Sequence, residues 1–297
     1  MLKILNKVFQ SLLWKLEEKN FFSKMNDEDY LKLIFKIRVG RKLDLKNPKS
    51  YNEKLQWLKL NCQDARLSEY VDKYEVKKLV SKKIGSQYVV RSLGVWEDAN
   101  EISLEDLPDR FVLKCTHDSG NVYICRDKTT FNVAKAKREL NKSLKINYYV
   151  HGHEYPYRDV KPRIIAEELL GGSEKAPEDY KFYIFNGELY CVMVCADRKD
   201  GHAKYYYYDL DWNRIYCQYD EPQDPANIEK PQNYEQMISI VNKLTQGFKN
   251  VRIDLYNIDG NIYFGEYTFF NQDGCDIDIT YETDLLFGKQ MGELKII

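Results

Sequence analysis

Two short stretches, Val251 to Tyr256 and Ile262 to Phe269, flank an Asn257-Ile258-Asp259-Gly260-Asn261 turn and constrain the fold more than any other part of the chain. Both are rich in β-branched and aromatic residues, and Asp-Gly between such runs predicts a β-hairpin. Side chains alternate along a strand, so Arg252 shares a face with Asp254, and Glu266 with Thr268. A connecting loop with an odd number of residues, Asp259 to Asn261, sets Asp254 opposite Glu266, whereas a strict two-residue turn sends Glu266 to the other face. Converging carboxylates call for a shared proton or a hard divalent cation. Nucleotide-borne Mg²⁺ is the expectation here; the plainer alternative is a surface hairpin with two solvated acids.

The 297 residues suffice for a large core in one domain or two closely joined ones. Charge is balanced at −1, with 45 basic and 46 acidic residues, so no global basic field exists for nucleic acid. Seven cysteines form no C-x-x-C pair, which argues against a zinc site or a disulfide framework and fits reduced thiols in a cytoplasmic setting. Met1 to Leu16 places Leu2, Leu5, Phe9, Leu12 and Leu16 on one helical stripe, with Lys3, Lys7 and Lys15 around it. It lacks the uninterrupted apolar core of a span and the cleavage site of a signal peptide. Such a helix either docks on the protein's own body or lies peripherally on the inner face of a membrane.

Residues 1–85 read as a helical region, with helices over Asp27 to Ile37, Tyr51 to Leu60 and Asp72 to Lys83. Ser50 with Glu53 three residues on is a capping-box pattern. From Tyr88 the texture changes to short β-prone runs: Tyr88 to Val90, Phe111 to Cys115, Asn121 to Cys125 and Arg163 to Leu169, with a helix over Asn132 to Lys145. Asp179 to Phe185, Glu188 to Ala196 and Tyr205 to Leu210 predict an antiparallel meander, followed by a helix over Tyr234 to Thr245 and the hairpin. The expected fold class is α+β, with two lobes and a cleft between them: a helical region 1–85, a small lobe 86–166 and a larger lobe 167–297 carrying the paired acids.

Lys114 ends a strand, and His117-Asp118-Ser119-Gly120-Asn121 turns into the next, a geometry in which backbone N–H groups approach phosphate oxygens beside a lysine point charge. Glu167, Glu168 and Leu169 end an apolar run before Gly171-Gly172, where backbone could read an adenine edge and a carboxylate could hold ribose hydroxyls. Asp179 and Lys181 share a strand face; Lys181 answers either a phosphate or Asp179. Arg198 is a further candidate for bidentate binding of an acidic group. Asp209-x-Asp211 and Asp276-x-Asp278 fit a D-x-D pattern used by glycosyltransferases for a metal and a sugar nucleotide. His151 and His153, flanking Gly152 in a polar loop, are expected at the surface.

Taken in order, Lys114 with its Ser-Gly loop, Glu167-Glu168, Asp179-x-Lys181, Arg252-x-Asp254 and Glu266-x-Thr268 resemble the ATP-grasp superfamily. The stretches Ser50 to Lys59, Val71 to Lys73, Ile84-Gly85, Leu107 to Lys114, Asp179 to Phe182 and Phe264 to Phe269 resemble its TupA-like group, associated with teichuronopeptide and capsular polysaccharide synthesis. The resemblance implies ATP and Mg²⁺ between two α+β lobes. Lys114 and Lys181 would contact phosphates, the loop His117, Ser119, Gly120 and Asn121 would cover them, and Glu167, Glu168 and Leu169 would hold adenine and ribose, with Asp179 beside Lys181. Asp254, Glu266 and Thr268 would bind the metal, with Thr268 in the place of the family's usual third ligand, an asparagine, and Asn271 downstream of it. Lys181, Arg252 and Arg198 are the candidate catalytic groups. The implied activity is an ATP-dependent carboxylate–amine ligase working through an acylphosphate, joining an amino acid or peptide to a uronic-acid-type sugar. The alternatives are a glycosyltransferase with its metal at Asp209 and Asp211, and a nucleotide-binding module without turnover.

Overall fold

The computed structural model describes residues 2–171, 177–199, 202–220 and 228–294, with the side chains of residues 2–8, 10, 197–199 and 202 outside that description. Five helices come first: α1 (Leu2–Glu18), α2 (Asp27–Val39), α3 (Tyr51–Asn61), α4 (Leu67–Val71) and α5 (Glu75–Ile84). Ser50 and Glu53 form the expected reciprocal cap at the start of α3. The single helix expected from Asp72 is instead interrupted, because the Asp72 carboxylate accepts from the N–H groups of Tyr74 (2.8 Å) and Glu75 (3.3 Å) and so starts α5 afresh. This break turns Lys73 out of the helical repeat.

A four-stranded antiparallel sheet follows, built from β1 (Ser92–Trp96), β2 (Phe111–Cys115), β3 (Val122–Cys125) and β4 (Ile164–Glu168) in the order β1-β4-β2-β3, with α6 (Val133–Ser143) packed beside β2. Tyr88 to Val90, expected as a strand, is a 3₁₀ turn and its exit, since the Val90 carbonyl accepts from the Lys77 ammonium at 2.6 Å instead of joining a ladder; pairing with β4 starts at Ser92. The second sheet has six strands, β5 (Asp179–Phe185), β6 (Glu188–Lys199), β7 (His202–Tyr208), β8 (Arg214–Ile215), β9 (Val251–Ile258) and β10 (Asn261–Thr268), ordered β10-β9-β5-β6-β7-β8 and antiparallel throughout. The predicted meander is its centre. Helix α7 (Tyr234–Leu244) stacks Tyr234 on Phe182 from one face, while the other face carries Tyr183, which meets Phe287 of α8 (Tyr281–Gln290). Further along β5, that same face presents Lys181 and Asp179. Among the described residues no helix is long and apolar enough to cross a membrane.

The hairpin reaches the expected pairing by an unexpected route. Ile258 pairs with Asn261, so the turn is the strict two-residue Asp259-Gly260, both with φ positive (51° and 80°). By parity alone Glu266 would then face away. A bulge between Phe264 and Glu266 inserts Gly265 and restores the register, so that Asp254 pairs with Glu266 and Arg252 with Thr268. An added Cβ on Gly265 would lie 3.0 Å from the Asp254 carbonyl oxygen, which is why glycine suits this place.

His151 and His153 are not at the surface. His151 is buried with Nδ1 3.1 Å from Glu17 Oε2 and its ring stacked on Trp14 at 3.6 Å; His153 Nδ1 lies 2.9 Å from Asp27 Oδ1 and its ring stacks on Tyr30 at 3.7 Å. The polar loop thus clamps α1 and α2 to the body.

Helices α3 and α8 meet closely at Gly288, where an added Cβ would stand 2.1 Å from the Lys49 carbonyl oxygen. Gly288→Ala should therefore cost about 1–3 kcal/mol in urea unfolding through steric displacement, against the roughly 1 kcal/mol that alanine normally contributes within a helix. A net gain in stability would contradict the close approach.

Candidate active site

A cleft of about 460 Å³ opens between the two sheets. Its upper wall is basic: Lys73 and Lys77 from the α5 region and Lys114 from β2 line it with Glu167 of β4 and the Ser119-Gly120 loop. Its floor is acidic, with Asp179, Asp254 and Glu266 around Lys181. Leu169, Leu170, Val90 and Val112 close an apolar end beside Glu168.

The charges on each side are paired. Glu167 receives Lys77 on one oxygen and Lys114 on the other, both at 2.5 Å. Burial works against the Glu167 carboxylate, but Lys114 and Lys77 outweigh it and hold its pKa below the ordinary glutamate value. Lys73 donates to the Asp118 carbonyl, which ties α5 to the Ser119 loop; burial pulls its ammonium down, Asp118 opposing and Lys114 adding to the effect. On the floor Lys181 binds Asp179 at 2.6 Å and also Asp254.

Asp254 is buried and held from behind by a bidentate Arg252, with Nε to Oδ1 at 2.7 Å and Nη2 to Oδ2 at 2.9 Å. Burial raises the Asp254 carboxyl and the two cations, Arg252 and Lys181, more than reverse that, so it stays ionised. Arg252 Nη2 also reaches Glu266 Oε1 (3.3 Å) and Thr268 Oγ1 (3.0 Å), and Nη1 donates to Asn271. Asn271 in turn donates to Asp276 at 2.9 Å, and the Asp276 N–H donates to Asn52 of α3 at 2.7 Å. Burial and the neighbouring Asp278 push the Asp276 carboxyl up to about 6. Glu266, half exposed, points its carboxylate into the cleft.

Ten of the residues singled out from sequence therefore line one cleft: Lys114, Ser119, Gly120, Glu167, Glu168, Leu169, Asp179, Lys181, Asp254 and Glu266. Arg252 and Thr268 stand one step behind, the Thr268 hydroxyl donating to Glu266 at 3.2 Å. His117 and Asn121 also sit off the cleft, anchoring the loop to the Ser143 carbonyl (3.2 Å) and hydroxyl (2.9 Å). The side chain of Arg198 lies outside the described residues. Lys73 and Lys77, which the sequence does not single out as site residues, also line the cleft, Lys77 from the first turn of α5 and Lys73 from the turn just ahead of that helix. Asp209 is spent in a turn, accepting from the Asn213 N–H at 2.7 Å and its side-chain amide at 3.0 Å, which leaves the D-x-D reading there without support.

The resemblance to the ATP-grasp superfamily is borne out by family comparison. The model of the TupA-like ATP-grasp family matches residues 53–292, and the chain belongs to that family. Solved structures similar to it include the D-alanine–D-alanine ligase of Bacillus anthracis, at 18% identity and TM-score 0.40 over 68% of this chain and 58% of that one. The ATP-grasp ligase PsnB in complex with a minimal precursor, Mg and ADP is 14% identical, TM-score 0.38, over 80% and 65%. N5-carboxyaminoimidazole synthase of Aspergillus clavatus, complexed with ADP and 5-aminoimidazole ribonucleotide, is 12% identical, TM-score 0.41, over 68% and 45%. The chain spans under three-fifths of the length of the Bacillus anthracis D-alanine–D-alanine ligase structures it matches. No curated protein matches it.

Because the folded Glu167 pKa is depressed, the stability it contributes is present above the unfolded value of about 4.3 and is lost as pH falls through the folded value. Glu167→Gln should thus lower unfolding stability by about 2 kcal/mol at pH 7, with the deficit shrinking in urea titrations below pH 4. An equal deficit at both pH values would contradict the double lysine bridge.

Proposed function

We propose that the protein is an ATP-dependent carboxylate–amine ligase working through an acylphosphate. The observation that carries this reading is the division of charge across the cleft, three lysines on one wall facing three carboxylates on the other. A triphosphate with its cation matches both walls at once. Asp254 and Glu266 offer hard oxygen donors and Asp254 is already kept ionised, so the donor set fits Mg²⁺ once Lys181 turns from Asp254 to a phosphate. Held there, Mg²⁺ would neutralise phosphate charge.

Lys73, Lys114 and Lys181 hold phosphate oxygens in line for transfer, and the Ser119-Gly120 loop covers them to exclude water. An oxygen of the substrate carboxylate attacks the γ-phosphorus and ADP departs; the amine then attacks the acyl carbon, inorganic phosphate leaves and the amine nitrogen gives up its proton. Arg252 is fully engaged with Asp254, Asn271 and Thr268, which supports a positioning role for it in place of direct contact with the acyl group. Thr268 orients Glu266 in the same way. The substrate pair we assign, an amino acid or peptide and a uronic-acid-type sugar of a capsular or cell-surface polysaccharide, is supported by membership of the TupA-like family.

ATP with Mg²⁺ should raise the melting temperature, and ADP should be released only when a suitable acid and amine are both supplied from a panel of uronic acids and amino acids. Lys114→Ala and Asp254→Asn should each slow that release on the order of 100-fold. Stabilisation by a UDP-sugar and not by ATP would overturn the ligase reading, and ATP binding with no release across the panel would leave a binding module.

A further inference from the structure

The described part of the apolar stripe of α1, Phe9, Leu12 and Leu16, is not centred on the face by which that helix docks. Among the described side chains of α1, Leu13 and Glu17 are the buried ones, Glu17 held by Tyr30 (2.8 Å) and His151, with Trp14 stacked on the His151 ring. The stripe through Phe9, Leu12 and Leu16 is centred about a quarter turn away around the helix. Phe9 is 47% and Leu12 53% exposed, and the turn that follows adds Phe21 at 69%. Lys15 and Lys19, both exposed, flank the stripe on one side, and exposed Lys24 follows Phe21. Glu18 lies on the opposite side of the helix, where it accepts from the Trp14 indole at 3.0 Å.

We propose that this face of α1 and its following turn dock on an anionic lipid surface. Large apolar side chains left in water beside a row of ammonium groups match the two parts of such a surface, acyl chains for Phe9, Leu12 and Phe21 and acidic headgroups for Lys15, Lys19 and Lys24. The basic character is local, since the chain as a whole is balanced at −1. The docking helix is also linked toward the cleft: Trp14 stacks on His151, the His151 ring meets Tyr148 at 5.4 Å, and the Tyr148 side chain lies near Ser119 of the phosphate-side loop. A helix bound to lipid would hold the cleft at a set distance from the surface. This inference is independent of the reaction assigned to the cleft.

The test is co-sedimentation of the full chain with vesicles of phosphatidylcholine mixed with phosphatidylglycerol, against vesicles of phosphatidylcholine alone. Binding is expected to the mixed vesicles only, weakening with added salt. Phe9→Ser with Leu12→Ser should lower the partition coefficient on the order of 100-fold, and Lys15→Glu with Lys19→Glu on the order of tenfold. Both substitutions leave buried residues untouched, and an unchanged melting temperature checks that each variant is folded. Absence of sedimentation, equal binding to both vesicle types, or undiminished binding by both variants would overturn the proposal. Self-association without lipid that Phe9→Ser/Leu12→Ser abolishes would assign the face to a second copy instead.

Discussion

A buried aspartate must be compensated or protonated, and the arrangement around Asp254 follows from that requirement. Arg252 grips it from two residues away on the same strand face, and Lys181 reaches it from the neighbouring strand, so both cations come from the sheet itself. The register that brings Glu266 alongside depends on one extra residue, Gly265, in β10. Without that bulge the hairpin would still close at Asp259-Gly260, but Glu266 would lie on the α7 side of the sheet.

The compensation does not end at the cleft. Arg252 carries on through Asn271 and Asp276 to Asn52 of α3, whose amide also donates to Asp284 of α8 at 3.0 Å, and Asp284 meets Arg41 at 2.6 Å. Each member satisfies the next, which is what a buried polar network requires. The helical N-terminal region is consequently a structural part of the floor. On the opposite wall, α5 brings Lys73 and Lys77 to the strands that bear Lys114 and Glu167. The two walls therefore share a common support in residues ahead of the first strand.

Much of this was legible in the sequence where local rules act: the Ser50-Glu53 cap, the meander from Asp179, the face shared by Asp179 and Lys181, and the hairpin around Asp259-Gly260. The pairing of Asp254 with Glu266 was anticipated for a loop of the wrong length; the compensating bulge at Gly265 is a tertiary event that alternation cannot show. Lys73 was hidden because Asp72 to Lys83 looks like uninterrupted helix until the Asp72 carboxylate is seen capping Tyr74 and Glu75. His151 and His153 read as surface residues because their partners, Glu17, Trp14, Asp27 and Tyr30, are more than a hundred positions away. The C-terminal helix α8, capped by Thr280, leaves little trace in the sequence; its amphipathic pattern is weak because its buried side also carries Asp284 and Gly288.

The central claim is that Asp254 and Glu266 project into one cleft and together hold the cation of a triphosphate facing Lys114. Its most direct test is a crystal structure with Mn²⁺ and a non-hydrolysable ATP analogue, read by anomalous scattering at the manganese edge. The account predicts a peak within bonding distance of both carboxylates, with the phosphates running toward Lys114 and Lys73. A peak elsewhere, or a nucleotide bound with its phosphates away from Asp254, would contradict it.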